Sequence, residues 1–137
     1  MATGYGQSCP VARALDVIGE RWTLLVVRDL FLGYRRFREF QRQSPGIPAR
    51  VLSDRLKKLE TSGIVERVVY SEHPLRAEYR LTAKGESLRP VVQALFDWGM
   101  EHRLSEREQA SVMHKLHGDE RAVDTSLESA GLPRIAT

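Results

Sequence analysis

Apolar residues recur every three or four positions along most of this chain, and the spacing changes toward alternation only between residues 64 and 82. Helical spacing begins at Cys9-Pro10, where proline suits a first helical position and Val11, Leu15 and Ile18 share a face; Gly19 ends that piece. Residues 21 to 32 carry Trp22, Leu25, Val26, Leu30 and Phe31 with further apolar residues between them, which predicts a helix buried on much of its circumference and central to the core. Gly33 closes it and Tyr34 starts a turn. Residues 36 to 43 read as a short amphipathic helix, with Phe37 and Phe40 entering the core and Arg36, Arg38, Gln41 and Arg42 facing outward. Ser44-Pro45-Gly46-Ile47 is a four-residue turn, because proline biases the residue before it away from helix and glycine tolerates positive φ. A second helix is expected from Pro48 to about Thr61, with Val51/Leu52, Leu56 and Leu59 as its apolar stripe and Gly63 at its C-terminal cap.

Past Gly63, residues 64 to 70 are rich in β-branched side chains, and residues 78 to 82 form a second short strand after a loop spanning 71 to 76 that contains Pro74. The two strands make a hairpin. Thr82 can cap a long helix from 83 to roughly 102, in which Leu88, Val91, Val92, Leu95, Trp98 and Gly99 keep helical spacing and Pro90 should introduce a kink. Ser105 with Glu108 three residues later is a capping box for a further helix to about 117. Residues 118 to 137 are polar with scattered glycine and proline, and a poorly packed tail is expected there. The expected division is a main unit over residues 1 to 104, followed by a C-terminal helix and tail over 105 to 137.

Two short helices, a four-residue turn and then a β-hairpin is the element order of a winged helix-turn-helix, so the expected fold class is α+β, mainly helical, with a two-stranded wing and extra N- and C-terminal helices. The major groove of B-DNA admits one α-helix, so the second helix must keep one face free while its stripe locks it to the first. With Leu52, Leu56 and Leu59 inward, Ala49, Arg50, Ser53, Asp54 and Lys57 are left outward. Arg50 can pair with guanine and Ser53 can donate or accept. Asp54 can accept from a cytosine amino group or orient Arg50. Arg35, Arg36 and Arg55 are expected at phosphates, and His73 and Arg76 at the hairpin tip are expected at an adjacent groove or backbone.

Charge sharpens this picture. A net +3 is only mildly basic, but residues 34 to 58 hold eight positive side chains against Glu39 and Asp54, whereas the last 37 residues carry a net negative charge. A composition 42% hydrophobic and 28% charged excludes global disorder. The single cysteine, Cys9, cannot make an internal disulfide, no apolar run approaches the roughly 20 residues of a membrane-spanning helix, and the N-terminus lacks the regions of a signal peptide, so a cytoplasmic location is expected.

Specific residues then carry a family resemblance. Cys9-Pro10-Val11, Ala14-Leu15-Asp16-Val17-Ile18-Gly19, Arg21-Trp22-Thr23-Leu24-Leu25, Arg36-Phe37, Phe40, Pro45-Gly46-Ile47, Val51-Leu52-Ser53 and Arg55-Leu56-Lys57-Lys58-Leu59-Glu60 resemble the HxlR-type family of bacterial winged-helix regulators. Gly63-Ile64-Val65, Glu78-Tyr79-Arg80-Leu81-Thr82, Gly85, Pro90-Val91 and Trp98-Gly99 continue it. The resemblance implies a homodimer built on the N-terminal and long C-terminal helices, whose two recognition helices enter successive major grooves of a pseudo-palindromic operator. Pro48 stands where that family commonly carries serine or another polar residue, so no direct DNA contact is expected from it. Relatives of this kind also include sensors with a cysteine near the N-terminus, a position Cys9 matches. A thiolate at a helix start is favoured by the helix dipole, with Arg13 one turn on. The alternative is an inert cysteine packed at the dimer interface.

Two other function classes compete. An enzyme would need a ligand or nucleophile set, yet His114 and His117 lack a convincing carboxylate partner, Cys9 is remote, and no phosphate-binding glycine loop occurs. No metal or cofactor is expected. A winged helix used only for protein interaction has no need of the positive segment. The identity of any small-molecule or oxidant effector is not legible.

Overall fold

The computed structural model describes residues 4–6 and 8–118. Their order is α1 (Pro10–Ile18), α2 (Thr23–Phe31), α3 (Phe37–Gln43), α4 (Ala49–Thr61), β1 (Val65–Glu72), β2 (Leu75–Leu81), α5 (Ala83–Glu86), α6 (Arg89–Arg103) and α7 (Glu106–Gly118). This is the mainly helical α+β winged helix-turn-helix. The tail expected beyond it lies, from residue 119 on, outside the described residues.

Helix α2 is the hub. Val26, Val27, Leu30 and Phe31 are buried against Phe40 of α3, Leu52, Leu56 and Leu59 of α4, Ile64 and Val65 at the start of the hairpin, and Val92 of α6. Each fully buried leucine of α4 stabilises by about 1.5–3 kcal/mol relative to exposure, enough to hold a helix whose remaining surface is polar. Asp29 sits in the same helix with its carboxyl wholly buried, accepting from Nε and an Nη of Arg28 at 2.9 and 2.7 Å. Burial pushes its pKa up to about 6 against the opposing pull of Arg28.

The first turn of the long helix expected at 21 begins two residues later. Trp22 adopts φ 79°, a left-handed conformation uncommon outside glycine, and serves as the N-cap of α2. The Arg21 guanidinium lies 5.0 Å from its ring centroid.

Two expectations need correction. The hairpin does not contain a six-residue loop: the strands pair antiparallel as far as Glu72 opposite Leu75, leaving His73-Pro74 as a two-residue turn, with an irregularity between Val69 and Ser71. The outer half of the wing projects past the core, so its pairing rests on main-chain hydrogen bonds that leave no hydrophobic pattern to read. The helix expected from 83 to 102 is two helices. Pro90 cannot donate to the Glu86 carbonyl and its ring would crowd it. The chain therefore closes α5 at Glu86 and places Pro90 in the first turn of α6, where a missing N–H has no cost.

Local caps match the sequence pattern. Thr82 Oγ1 accepts from Gly85 N at 3.1 Å, and Ser105 and Glu108 exchange side-chain-to-backbone bonds at 3.2 and 3.0 Å. Gly85 is required for a different reason. A Cβ there would stand 2.1 Å from the Ile64 carbonyl oxygen, so α5 rests directly on the root of the wing.

Candidate nucleic-acid interface

Helix α4 follows a tight turn. Ser44 N donates to Phe40 O at 3.0 Å and Ile47 N to Ser44 O at 3.1 Å, while Gly46 takes φ 98° and Ile47 is buried as the anchor between the two helices. Pro48 is the N-cap rather than the first helical residue, and no side chain caps the first N–H groups of α4. Those groups form a positive helix end.

The two faces of α4 separate cleanly. Leu52, Leu56 and Leu59 are buried, while Ala49, Arg50, Ser53, Asp54 and Lys57 are exposed. Asp54 is not bonded to Arg50. Its Oδ2 accepts from Arg55 at 2.7 Å.

Arg55 itself is turned inward, with its side chain only 16% exposed. Its Nε donates to Arg21 O at 3.0 Å and its Nη1 lies 3.1 Å from Glu20 Oε2. Lys58 also bonds Glu20. That hydrogen bond, with the charges of Arg55 and Lys58, holds the Glu20 carboxyl below its ordinary pKa. A phosphate approaching Arg55 would have to compete with three oxygen partners already in place, so the structure supports a clasp between α4 and the α1–α2 turn at this residue.

The start of α3 meets the wing. Glu39 Oε1 accepts from the main-chain N–H groups of Arg35 and Arg36 at 3.0 and 2.9 Å, reaching back from the third helical position as a capping carboxylate does. Tyr79 N of β2 donates to Arg35 O at 2.8 Å. The Arg36 guanidinium lies 4.9 Å from the Tyr70 ring centroid, which orients it without neutralising it.

Between α3 and the wing runs an open cleft of about 420 Å³, with Arg36, Arg38, Arg42 and Arg76 in its lining beside Tyr70 and Leu75. Arg76 is thereby brought to Arg36, while His73 stands at the exposed turn outside that lining. Sequence spacing identifies Arg38 and Arg42 only as outward-facing. Their i, i+4 spacing, together with Arg35, was the available signal for a basic helix face.

Cys9 is exposed and is the N-cap of α1, with Arg13 N donating to its carbonyl at 2.9 Å. His114 and His117 are exposed on α7. Among the described residues no group of three or more His, Cys, Asp or Glu side chains could hold a metal ion, and no helix is long and apolar enough to cross a membrane.

The model of the HxlR-like helix-turn-helix family matches residues 17–108, which contain α2 through α6 and nearly all the groups just described. The chain belongs to the HxlR-like helix-turn-helix family. An uncharacterized HTH-type transcriptional regulator of Mycobacterium tuberculosis strain H37Rv is 48% identical over 92 residues, covering 67% of this chain and 58% of the relative. The chain thus matches less than two thirds of the mycobacterial protein's length. Among solved structures, the redox regulator HypR in its reduced form is 41% identical, with 69% of this chain and 94% of HypR covered and a TM-score of 0.66. Diamide-treated YodB from Bacillus subtilis is 36% identical, with 72% and 99% covered and a TM-score of 0.56. The HxlR-like segment therefore coincides with the helix-turn-helix, the wing and α6, while the last ten residues of α7 lie beyond it.

Proposed function

We propose that this protein is a DNA-binding transcriptional regulator that acts as a homodimer on a pseudo-palindromic operator. The observation that carries this reading is the division of α4 into a leucine face locked to the core and an exposed face of Ala49, Arg50, Ser53, Asp54 and Lys57. Arg50 and Ser53 read base edges, Ala49 offers contact to a thymine methyl, and Lys57 meets phosphate. Arg55 holds α4 to the α1–α2 turn, and Asp54, exposed beside it, shares its carboxylate with Arg55.

The arginine cleft follows the backbone beside the groove, with Arg36, Arg38, Arg42 and Arg76 in its lining as phosphate contacts, Arg35 outside that lining as a further one, and His73 at the turn reaching the neighbouring backbone. Such a regulator works in the cytoplasm, needs no catalytic centre or cofactor, and uses residues 1 to 104 as its DNA-binding and dimerisation unit, with 105 to 137 as an appendage.

The dimer reading is supported by apolar side chains that the single chain leaves exposed: Val11 and Leu15 on α1, and Val91, Leu95 and Trp98 on α6, the last 58% exposed. A two-fold axis through these helices would set two α4 helices about one DNA turn apart.

Responsiveness to oxidants through Cys9 belongs to the same reading, supported by its exposure at the N-cap of α1 and by the names of the HypR and YodB structures. With one cysteine per chain, a disulfide must be intermolecular: two thiols lose two protons and two electrons to the oxidant, as to diamide, which becomes the hydrazine. The test of the whole reading is a fluorescence-anisotropy titration of the protein against DNA from upstream of its own gene, across a salt series. A saturable complex that weakens steeply with salt and discriminates against scrambled DNA is expected; absence of any specific complex at low salt overturns it.

A further inference from the structure

Helix α4 carries four cations, Arg50, Arg55, Lys57 and Lys58, and the fold divides them into two pairs. Arg50 and Lys57 stand on the exposed face. Arg55 and Lys58, three residues apart, share the flank between that face and the leucine stripe, with side chains 16% and 35% exposed. One carboxylate from outside the helix meets both of them: Glu20 Oε2 lies 3.1 Å from Arg55 Nη1, and Glu20 Oε1 accepts from Lys58 Nζ.

Glu20 is delivered to that flank by a closely defined turn. Gly19 N donates to Leu15 O at 2.8 Å, and a Cβ on Gly19 would stand 2.4 Å from the same oxygen. Thr23 N then donates to Glu20 O at 3.2 Å, so the backbone is held on either side of the Glu20 side chain. The ion pairs it forms are half exposed, and pairs of that kind add little to stability. Their larger effect is on what α4 presents to DNA. A helix about 10–12 Å across, seated in a groove about 12 Å wide, turns its flanks to the sugar-phosphate walls. Cations on such a flank bind phosphate without reading sequence, whereas cations already held by a carboxylate do so far less.

We propose that Glu20 is a specificity-determining residue: it withholds Lys58 and Arg55 from the phosphate walls of the major groove and holds α4 in the pose that reads base edges. This rests on the reading of α4 as the helix that enters DNA. Non-operator DNA is bound almost wholly through its phosphates, so it loses most from each cation withheld, and the advantage of the operator widens. Glu20 acts through the two side chains it pairs and touches neither base nor phosphate. Lys58 is the side chain released most fully when the carboxylate is neutralised, because Arg55 keeps the Arg21 main-chain oxygen and the Asp54 carboxylate.

Glu20→Gln keeps the shape of the side chain and removes its charge. Anisotropy titrations of the full chain and of this variant, against DNA from upstream of its own gene and against a scrambled duplex over a salt series, provide the test. Glu106→Gln on α7 makes the same change in net charge on a different helix. In Glu20→Gln, affinity for the scrambled duplex should rise by roughly threefold or more at low salt, and the slope of log K against log salt should steepen by about 1. The ratio of operator to scrambled affinity should fall. Adding Lys58→Gln to Glu20→Gln should return the slope to the wild-type value, and Glu106→Gln should leave both slope and ratio unchanged. A wild-type slope in Glu20→Gln, with the wild-type chain still discriminating its operator, overturns the role of Glu20 and leaves the DNA-binding reading standing. A matching rise in Glu106→Gln overturns it too, by tracing the effect to net charge alone. Equal losses of affinity for both duplexes, with lowered resistance to urea, would mark a purely structural clasp and also overturn it. Absence of a specific complex with the wild-type chain removes the DNA-binding reading itself, and the role of Glu20 with it.

Discussion

Arg55 of α4 donates its Nε hydrogen to the main-chain oxygen of Arg21, 3.0 Å away and 34 residues earlier, so the exposed helix is anchored to the turn between α1 and α2. Glu20 in that turn reinforces the contact through both Arg55 and Lys58. Trp22, with its left-handed backbone, sits one residue further on. The α1–α2 turn and the proposed recognition helix are thereby tied together.

Replacing Arg55 with alanine removes a part-buried guanidinium and leaves the Arg21 carbonyl without this donor. Stability should fall by about 1–2 kcal/mol, measured by urea unfolding. DNA affinity should fall as well, but with the salt dependence unchanged, because on the proposed reading the residue positions α4 rather than meeting a phosphate.

Arg36→Ala and Arg42→Ala should behave differently. Each removes a proposed phosphate contact from the cleft between α3 and the wing, so affinity should fall for all sequences alike and the slope of log K against log salt should shrink by about 1. Arg50→Ala should instead relax sequence preference at one position per half-site, costing about 1–3 kcal/mol of discrimination in a selection experiment.

Asp29 makes stability depend on pH in an unusual direction. Its folded-state pKa is raised to about 6 from 3.8, so between those values the folded chain binds the extra proton and stability falls as pH rises, levelling off above about 6. The span corresponds to an upper figure of roughly 3 kcal/mol. Asp29→Asn keeps the shape and cannot ionise. Unfolding free energies of the two proteins should diverge from pH 4 to pH 6.5, the variant gaining on the wild type; parallel curves would show that the carboxyl titrates normally.

Leu95→Arg places a charge on the exposed apolar face of α6, where Leu95 is 52% exposed in the single chain. Sedimentation should show a dimer converted to a monomer with an unchanged helical spectrum. Because a monomer engages only one half-site, operator affinity should drop by more than tenfold.

Much of the helical framework was legible because its causes are local. The leucine stripe of α4, the Thr82 cap, the Ser105 and Glu108 box and the four-residue turn before α4 each depend on residues within a few positions of one another. The outward face of α4 followed from the same periodicity. Where a local signal admitted two outcomes, the sequence favoured the wrong one: Pro90 suits either a kink or a first turn, and only the seating of Gly85 against Ile64 and of Val92 in the core shows that α5 must end at Glu86.

What tertiary structure alone decided is which charges meet. Along the chain, Arg35, Arg36 and Arg55 carry the same expectation of a phosphate contact, and Arg50 belongs to the same positive segment. Folding separates them: Arg36 joins Arg76 across the cleft, Arg50 stays in solvent, Arg35 lines a small cavity beside Arg80 and Arg89, and Arg55 turns in to Glu20 and Arg21. Periodicity specifies the face a side chain occupies, because that depends on backbone geometry alone. The partner a charge finds depends on which elements cross and how closely, and those crossings are set by the packing of the core.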